Sequence, residues 1–280
     1  MNENIFSHIP EAKRITSRTN PLIASLAKLQ QTKHRREQKL YLAEGVKLSR
    51  EAVGMKEVRY VILRSEDGTV EKEPADIASA CPHPTDVLVV PGSVFEKIST
   101  ENAPQGIITV LAFQEDLHAP WTEDTAVRTS GERILMADCV RDPGNLGTMI
   151  RTAAAFGFDR MILGDCADLY HPRTVRASMG ALYRMRINVC SSLQPAIRAL
   201  RENGHRVLAA ALQENSLTLG RDPLMHDDCI VIGNEGHGVS PQVLSSVDAV
   251  VKIPMEPGAE SLNAAGAAAV LMWEYYRAFP

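Results

Sequence analysis

Long apolar runs are missing from this chain of 280 residues. None approaches the roughly 18–20 consecutive apolar residues that a membrane-spanning helix needs. The opening stretch MNENIFSHIPEAKR has no apolar segment of the kind that marks a secretory signal. Cysteine is sparse. Cys81, Cys139, Cys166, Cys190 and Cys229 are odd in number, scattered, and nowhere at CxxC spacing, which indicates neither a disulfide framework nor a zinc site. The expectation is a cytoplasmic protein with no membrane partner and no bound metal.

The familiar catalytic signatures are missing too. There is no GxxxxGK(S/T) phosphate loop, no GxGxxG after a strand, no HExxH and no GxSxG. His171 and His237 fall in loops without metal-ligating neighbours, so each reads as a surface or structural histidine.

What is present is an ordinary globular composition, 45% hydrophobic and 23% charged, with length enough for two cores. Charge is unevenly spread. Between Lys13 and Arg50 ten Lys and Arg stand against Glu37 and Glu44, an excess of +8 in a chain of net charge −4, which leaves −12 for the rest. A nucleic-acid-facing arm on an acidic body has this distribution, and so does a solvated helical face. Lys33, Arg35 and Arg36, in the run KHRREQK, are the candidates for RNA contact.

Hydrophobic periodicity places the elements. Asn20-Pro21 reads as a helix start, with asparagine as N-cap and proline at the first helical position. Leu40–Ala43 is a short strand, and a turn at Glu44-Gly45 opens a helix to Val53. Val58–Leu63, Val87–Val90 and Gly106–Phe113 read as further strands, with Ser93 and Glu96 in capping-box spacing. Glu66 to Asp76 reads as an acidic solvated loop. Glu115–Glu132 has no period and reads as a linker. Beyond it, strands are expected at Ile134–Val140, Arg160–Leu163, Met185–Cys190, Val207–Leu212, Cys229–Gly233 and Ala249–Ile253. Helices are expected at Leu146–Phe156, Leu193–Asn203 and Leu262–Tyr276. Alternation of this kind gives α/β layers in both halves.

Three segments follow strand ends, where open α/β sheets place their ligands. VRDPGNLGTMIRTAAAFG (Val140–Gly157) is a turn that opens a helix carrying Arg151. IVIGNEGHGVS (Ile230–Ser240) ends a β-branched strand in a loop with three glycines around Glu235. VKIPMEPGAESLNAAGAAAVLMWEYY passes from a strand through Ser261-Leu262-Asn263 into an alanine-rich helix that neighbouring backbone can approach closely. Each alone reads equally well as a structural turn.

Together they resemble the SpoU (TrmH-like) family of the SPOUT class of RNA ribose 2′-O-methyltransferases. The resemblance rests on Asn145, Gly147, Arg151 and Thr152, then Gly233, Glu235 and Gly236, then Ile253, Pro254, Met255, Glu260, Ser261, Leu262 and Asn263. It covers about the C-terminal half in order and spacing. Ile15–Glu51, with Asn20 and the YLAEG run, is more loosely similar to the substrate-binding domain often fused to this family. In one place the chain departs from the pattern: Ala264-Ala265-Gly266-Ala267 stands where the family commonly has Val-Ser-Val-Ala, which keeps small residues and removes a hydroxyl.

The resemblance implies a small α/β RNA-binding domain (1–115), a linker (116–131) and an α/β catalytic domain (132–280). The catalytic domain would be closed by a trefoil knot that nothing in the sequence itself suggests, and it would form a homodimer. It implies S-adenosylmethionine as cofactor, held largely by backbone around Gly233, Asn234, Ile253 and Leu262, with Ala210 and Ala211 close by. A branched side chain at Gly233 would then intrude on the adenosine. Arg151 would act on the ribose oxygen, oriented by Asn145. Glu235, Ser261 and Asn263 would hold the arginine, the loop and the ribose, Glu235 being the one carboxylate able to take a proton. Lys33, Arg35, Arg36 and Asn20 would face RNA, ribosomal rather than transfer. The alternatives are a noncatalytic RNA-binding protein on the same fold, a transfer-RNA ribose methyltransferase, and a dehydrogenase without its dinucleotide fingerprint.

Overall fold

A computed structural model describes residues 2–3, 5–83, 86–122, 124–125, 129, 131–256, 258 and 261–279. The chain divides into two compact units, Met1–Gln114 with Tyr170–Tyr183, and Glu115–Leu169 with Arg184–Pro280.

The first unit runs β1 (Asn2–Glu3), α1 (Ile5–His8), β2 (Lys13–Arg14), α2 (Pro21–Ala27), α3 (Thr32–Gln38), β3 (Leu40–Glu44), α4 (Val46–Ala52), β4 (Val58–Glu66), β5 (Thr69–Glu71), α5 (Lys72–Ser79), β6 (Val87–Pro91), α6 (Gly92–Ile98) and β7 (Ile107–Ala112). β4 pairs in parallel with β6 and antiparallel with β7, which in turn pairs with β3. Successive side chains of a strand point to opposite faces, and both faces are covered here. Val61, Leu63, Val87 and Val89 pack with Ile5, Ala75 and Ile77 on one side. Ile62, Leu88 and Val90 pack with Ile23, Leu26 and Phe95 on the other. Burial on both faces explains why β6 (VLVVP) and the Val61–Leu63 stretch of β4 are continuous apolar runs rather than alternating ones.

Three expectations fail in this unit. Glu66–Asp76 is not a loop: Asp67 and Gly68 turn at φ 50 and 81, close the β4–β5 hairpin, and lead into α5 with Pro74, Ala75, Ile77 and Ala78 buried. Ser93 caps nothing, because α6 starts after Pro91 without a side-chain cap. Arg35 is fully buried. Its guanidinium donates to the carbonyls of Leu29 and Gln30, both at 2.8 Å, and to Thr32 Oγ1 at 2.9 Å. It tightens the α2–α3 turn and does not face RNA.

The segment Tyr170–Tyr183 leaves the second half of the sequence to complete this unit. Tyr170 stacks on Phe113 with ring centroids 3.9 Å apart and lies against Tyr41. Its hydroxyl accepts from the Gln114 amide at 3.1 Å, while Gln114 Nε2 donates to the Tyr183 carbonyl at 3.1 Å.

The second unit runs β8 (His118–Pro120), β9 (Ile134–Asp138), α7 (Pro143–Ala155), β10 (Arg160–Gly164), β11 (Arg186–Cys190), α9 (Gln194–Glu202), β12 (Arg206–Ala210), β13 (Leu217–Thr218), β14 (Asp228–Ile232), α10 (Pro241–Leu244), β15 (Ala249–Lys252) and α11 (Ala264–Ala278), α8 being the Pro172–Ser178 helix of the excursion. The strands form one sheet in the order β13-β15-β12-β14-β9-β10-β11-β8, parallel at every pairing. β8 lies inside the stretch read as linker and pairs with β11. α9 and Val243 of α10 cover one face. α7 and α11 pack on each other, with α11 against β14 on the opposite face. Because all strands point one way, the segments after β9, β12, β14 and β15 emerge at one edge, the carboxyl end where such sheets bind ligands.

Candidate active site

Asp142 begins the first of these segments. It N-caps α7, accepting at 2.8 Å from the Asn145 N–H, and Pro143 occupies the first helical turn, where its missing N–H costs nothing. Asp138, buried at the end of β9, accepts at 2.7 Å from the Ser240 N–H and so ties the β9 end to the glycine-rich loop after β14.

That loop folds on itself. Asn234 and Gly238 exchange two backbone hydrogen bonds of 2.8 and 2.9 Å. The Asn234 side chain accepts from the N–H groups of Gly236 and His237, and donates at 2.8 Å to the Cys139 carbonyl. Gly233 is required by this closure. A Cβ there would fall on the backbone of Gly238 and Val239, so any side chain at this position meets the loop itself.

Glu235 then organises the three loops. Its carboxylate accepts from the N–H groups of Arg141 and Asp142, each at 3.1 Å, and from Asn145 Nδ2 at 2.9 Å. A carboxylate can only accept, so Asn145 must present its amide nitrogen and is left with its oxygen. Asn263 Nδ2 donates to that oxygen at 3.0 Å. Asn263 is left in turn with its own oxygen, which caps α11 at the N–H groups of Ala265 (3.0 Å) and Gly266 (3.3 Å). One acceptor-only group thus sets the polarity of a relay across motifs far apart in the chain. Partial desolvation pushes the Glu235 carboxyl up, but the Asn145 bond and the N–H groups of Glu235 itself, Arg141 and Asp142 outweigh it and hold the group below the usual carboxylate range.

The loops enclose a cleft of about 410 Å³, within the range of small-molecule sites. Ala210, Ala211, Gly233, Asn234, Ile253 and Leu262 all line it, as do Glu235 and Ser261. Asn145 and Asn263 stand in the relay beside it. Asn145 is engaged by Glu235 and Asn263 and makes no hydrogen bond to Arg151 among the described residues, so its expected orienting role is not what its side chain does. Arg151 itself is exposed on α7, with no hydrogen-bond or ion-pair partner among the described residues. Glu260 lies outside the described residues. Gln213, His237 and Met255 also line the cleft. Of these only Met255 carried a signal in the sequence, through the Ile-Pro-Met run.

Of the RNA-facing candidates in the first unit, Lys33 and Arg36 are exposed, Lys33 lying 3.9 Å from Glu37. Asn20 caps α2, accepting from Leu22 N at 2.9 Å. His171 caps α8, accepting from Arg173 N at 3.1 Å. All five cysteines are free, and no cluster able to hold a metal and no helix able to cross a membrane occurs among the described residues.

Comparison with known proteins gives two family matches. Residues 132–273 match the SpoU rRNA Methylase family, and residues 20–109 match the MRM3-like substrate binding domain. The chain is 30% identical over 93% of its length to the 23S rRNA (guanosine(2553)-2′-O)-methyltransferase of Bacillus subtilis, covering 98% of that protein. It is 30% identical over 94% of its length to an uncharacterized tRNA/rRNA methyltransferase of Synechocystis, covering 93% of that chain. Among solved structures, the AdoMet-bound rRNA methyltransferase of Sinorhizobium meliloti superposes with a TM-score of 0.78 at 29% identity, over 96% of this chain and 99% of that one.

Proposed function

This chain belongs to the SpoU rRNA methylase family, and from that premise we propose that it methylates ribose 2′-hydroxyls of ribosomal RNA with S-adenosylmethionine as donor. Its architecture is that of the SPOUT class, a substrate-binding domain followed by a knotted methylase domain. The observation that carries the reading is the cleft. It is apolar along Ala210, Ala211, Ile253 and Leu262, closed by the turn at Gly233, and has no phosphate loop among its lining segments. A nucleoside that carries no phosphate fits such a lining.

S-adenosylmethionine supplies an electrophilic methyl group on a sulfonium. Everything else falls to the chain. A ribose hydroxyl is a poor nucleophile until its proton leaves, and a guanidinium rarely gives up a proton to serve as base. Arg151, exposed and unpartnered among the described residues, is suited to anchor the neighbouring RNA phosphate and to stabilise negative charge growing on the ribose oxygen. Glu235 is held ionised by its donors. It serves as the fixed point of the Asn145–Asn263 relay rather than as a proton acceptor, and Ser261 faces the cleft from the third loop.

The protein acts as a homodimer through its C-terminal unit. This reading is supported by an apolar face on α11, where Val270, Trp273 and Tyr276 are 39%, 50% and 37% exposed and Phe156 lies 5.7 Å from both aromatic rings. A ribosomal substrate is supported by the Bacillus subtilis relative, whose name specifies 23S rRNA. A cytoplasmic location is in keeping with five free cysteines.

The deciding experiment incubates the protein with tritiated S-adenosylmethionine and unmodified transcripts of 23S, 16S and transfer RNA. Label in a ribosomal transcript, mapped to a ribose, is expected. Label confined to transfer RNA overturns the substrate, and none in any transcript overturns the reaction.

A further inference from the structure

Arg141 is used twice. Its peptide N–H donates to Glu235, which fixes the backbone beside the α7 cap. Its guanidinium instead reaches Asp165, at the end of the neighbouring strand β10, in an ion pair whose side chains remain 54% and 57% exposed. Both partners are firmly mounted: Asp138 and Gly164 are paired across β9 and β10, the Cys139 N–H donates to the Gly164 carbonyl, and the Asp165 N–H donates at 3.0 Å to the Cys190 carbonyl. An exposed pair of this kind contributes little to stability, so the fold does not require the contact.

Beyond Arg141, Gly144, Thr148 and Arg151 follow at helical spacing on one face of α7, with Thr148 and Arg151 exposed. From Gly144 to Arg151 this face runs about 10 Å. Arg151 ends this face, and neither Gly144 nor Thr148 places a bulky or acidic group on it.

Resting on the RNA methyltransferase reading above, we propose that Arg141 is a second phosphate-binding residue for the RNA substrate, with Asp165 as a positioning carboxylate that the RNA backbone displaces. Asp165 holds the guanidinium extended at the carboxyl edge of the sheet. A phosphate offers the same bidentate acceptor geometry with more charge, so it replaces the carboxylate without moving the arginine. Phosphate contacts set register and affinity without reading sequence, so Arg141 governs how RNA is seated and not which base is chosen.

The test uses full-length protein and unmodified 23S ribosomal RNA transcript as the binding probe, titrated against salt. Arg141→Ala should weaken binding several-fold and reduce the slope of log K against log salt by about 0.7, one single-strand phosphate contact. Asp165→Asn should tighten binding several-fold in the wild-type background and change it less than twofold in Arg141→Ala. In turnover, Arg141→Ala should raise KM for RNA with kcat kept within about twofold at saturation. Unchanged affinity and slope in Arg141→Ala overturn the proposal. So does equal tightening by Asp165→Asn in both backgrounds, which would mark a general charge effect, and so does a loss confined to kcat. Flat binding results in a protein that methylates RNA sink this inference alone. A wild type that methylates no transcript sinks the assigned reaction and leaves the binding comparison to stand by itself.

Discussion

The amide of Asn263 donates at 3.0 Å to the amide oxygen of Asn145, joining the start of α11 to the start of α7. Asn263→Asp separates the two jobs of this residue. Aspartate caps a helix as well as asparagine does, so α11 should keep its start. Two acceptors would then face each other where one donated, and the relay to Glu235 would break. We expect a thermal midpoint close to that of the wild type and turnover lower by at least about tenfold, roughly 1.4 kcal/mol of barrier. Equal turnover would remove the Asn145–Asn263 contact from the catalytic arrangement.

Glu235 gives a prediction in pH. Its folded pKa lies below the ordinary carboxylate value, so the stabilisation it lends is complete above an unfolded pKa of about 4.3 and fades only as pH falls through the lowered folded value. Turnover should therefore show no acid limb from this group between pH 5.5 and 8. Glu235→Gln should lower kcat at every pH without moving the profile, because a glutamine keeps one acceptor oxygen and turns its NH2 group either toward the Arg141 N–H or toward the Asp142 N–H and Asn145 Nδ2. A wild-type limb near neutrality that disappears in Glu235→Gln would reinstate the carboxylate as a base.

Arg151→Ala should lower kcat on the order of 100-fold or more, the usual cost of losing a donor to developing negative charge. The Arg151 side chain is exposed and has no hydrogen-bond or ion-pair partner among the described residues, so stability and cofactor affinity should stay within a few-fold of wild type. Calorimetry with S-adenosylmethionine alongside single-turnover assays checks both halves. Near-normal turnover would deny Arg151 its role.

Much of this site could be read from the residues, and the unread parts share a cause. Asn20-Pro21 announces a helix start through local chemistry and caps as such pairs do, whereas the stretch Asp142–Asn145, read as a turn ahead of a helix from Leu146, is already the capped first turn of α7. Apolar runs such as Val87–Val90 became strands because burial on both faces is written into their composition. Arg35 misled because a charged residue inside KHRREQK looks solvated, whereas two carbonyls at a turn recruit it inward. The acidic stretch 66–76 misled for a similar reason, since Glu73 and Asp76 sit on the exposed face of a helix whose buried face is Pro74, Ala75, Ile77 and Ala78. Tyr170–Tyr183 joins the first unit through Phe113 and Gln114, and no local pattern reports contacts so remote in sequence. The polarity of the Glu235 relay was equally hidden, because spacing names its members but not which atom of each faces which.

Gly233 and Leu262 both touch the cleft, and their substitutions should fail differently. Gly233→Ala sets a Cβ against the Gly238 and Val239 backbone, so the loop must reopen. A loss of about 1–3 kcal/mol of stability, typical of overpacking, should accompany loss of cofactor binding. Leu262 is 44% exposed, so Leu262→Ala should leave the thermal midpoint almost unchanged and weaken S-adenosylmethionine by about tenfold, near 1.5 kcal/mol of apolar contact. Calorimetry paired with thermal melts separates the two. A stable Gly233→Ala that binds normally would mean that the loop closes some other way.

The basic run in α3 divides along the burial of its side chains. Arg35 satisfies the carbonyls of Leu29 and Gln30 from a fully buried position. Arg35→Met should therefore cost about 1–3 kcal/mol per acceptor left unpaired, seen as a lower thermal midpoint. The salt dependence of RNA binding by the folded fraction should not change. Lys33 and Arg36 are exposed and carry the opposite expectation: neutralising both to Gln should spare stability. If each meets a phosphate, the slope of log K against log salt for 23S ribosomal RNA transcript should fall by about 1.4, two contacts at 0.7 each on single-stranded RNA. An unchanged slope in the double variant would make the run a solvated helix face, and the N-terminal unit would then have to hold RNA through other residues.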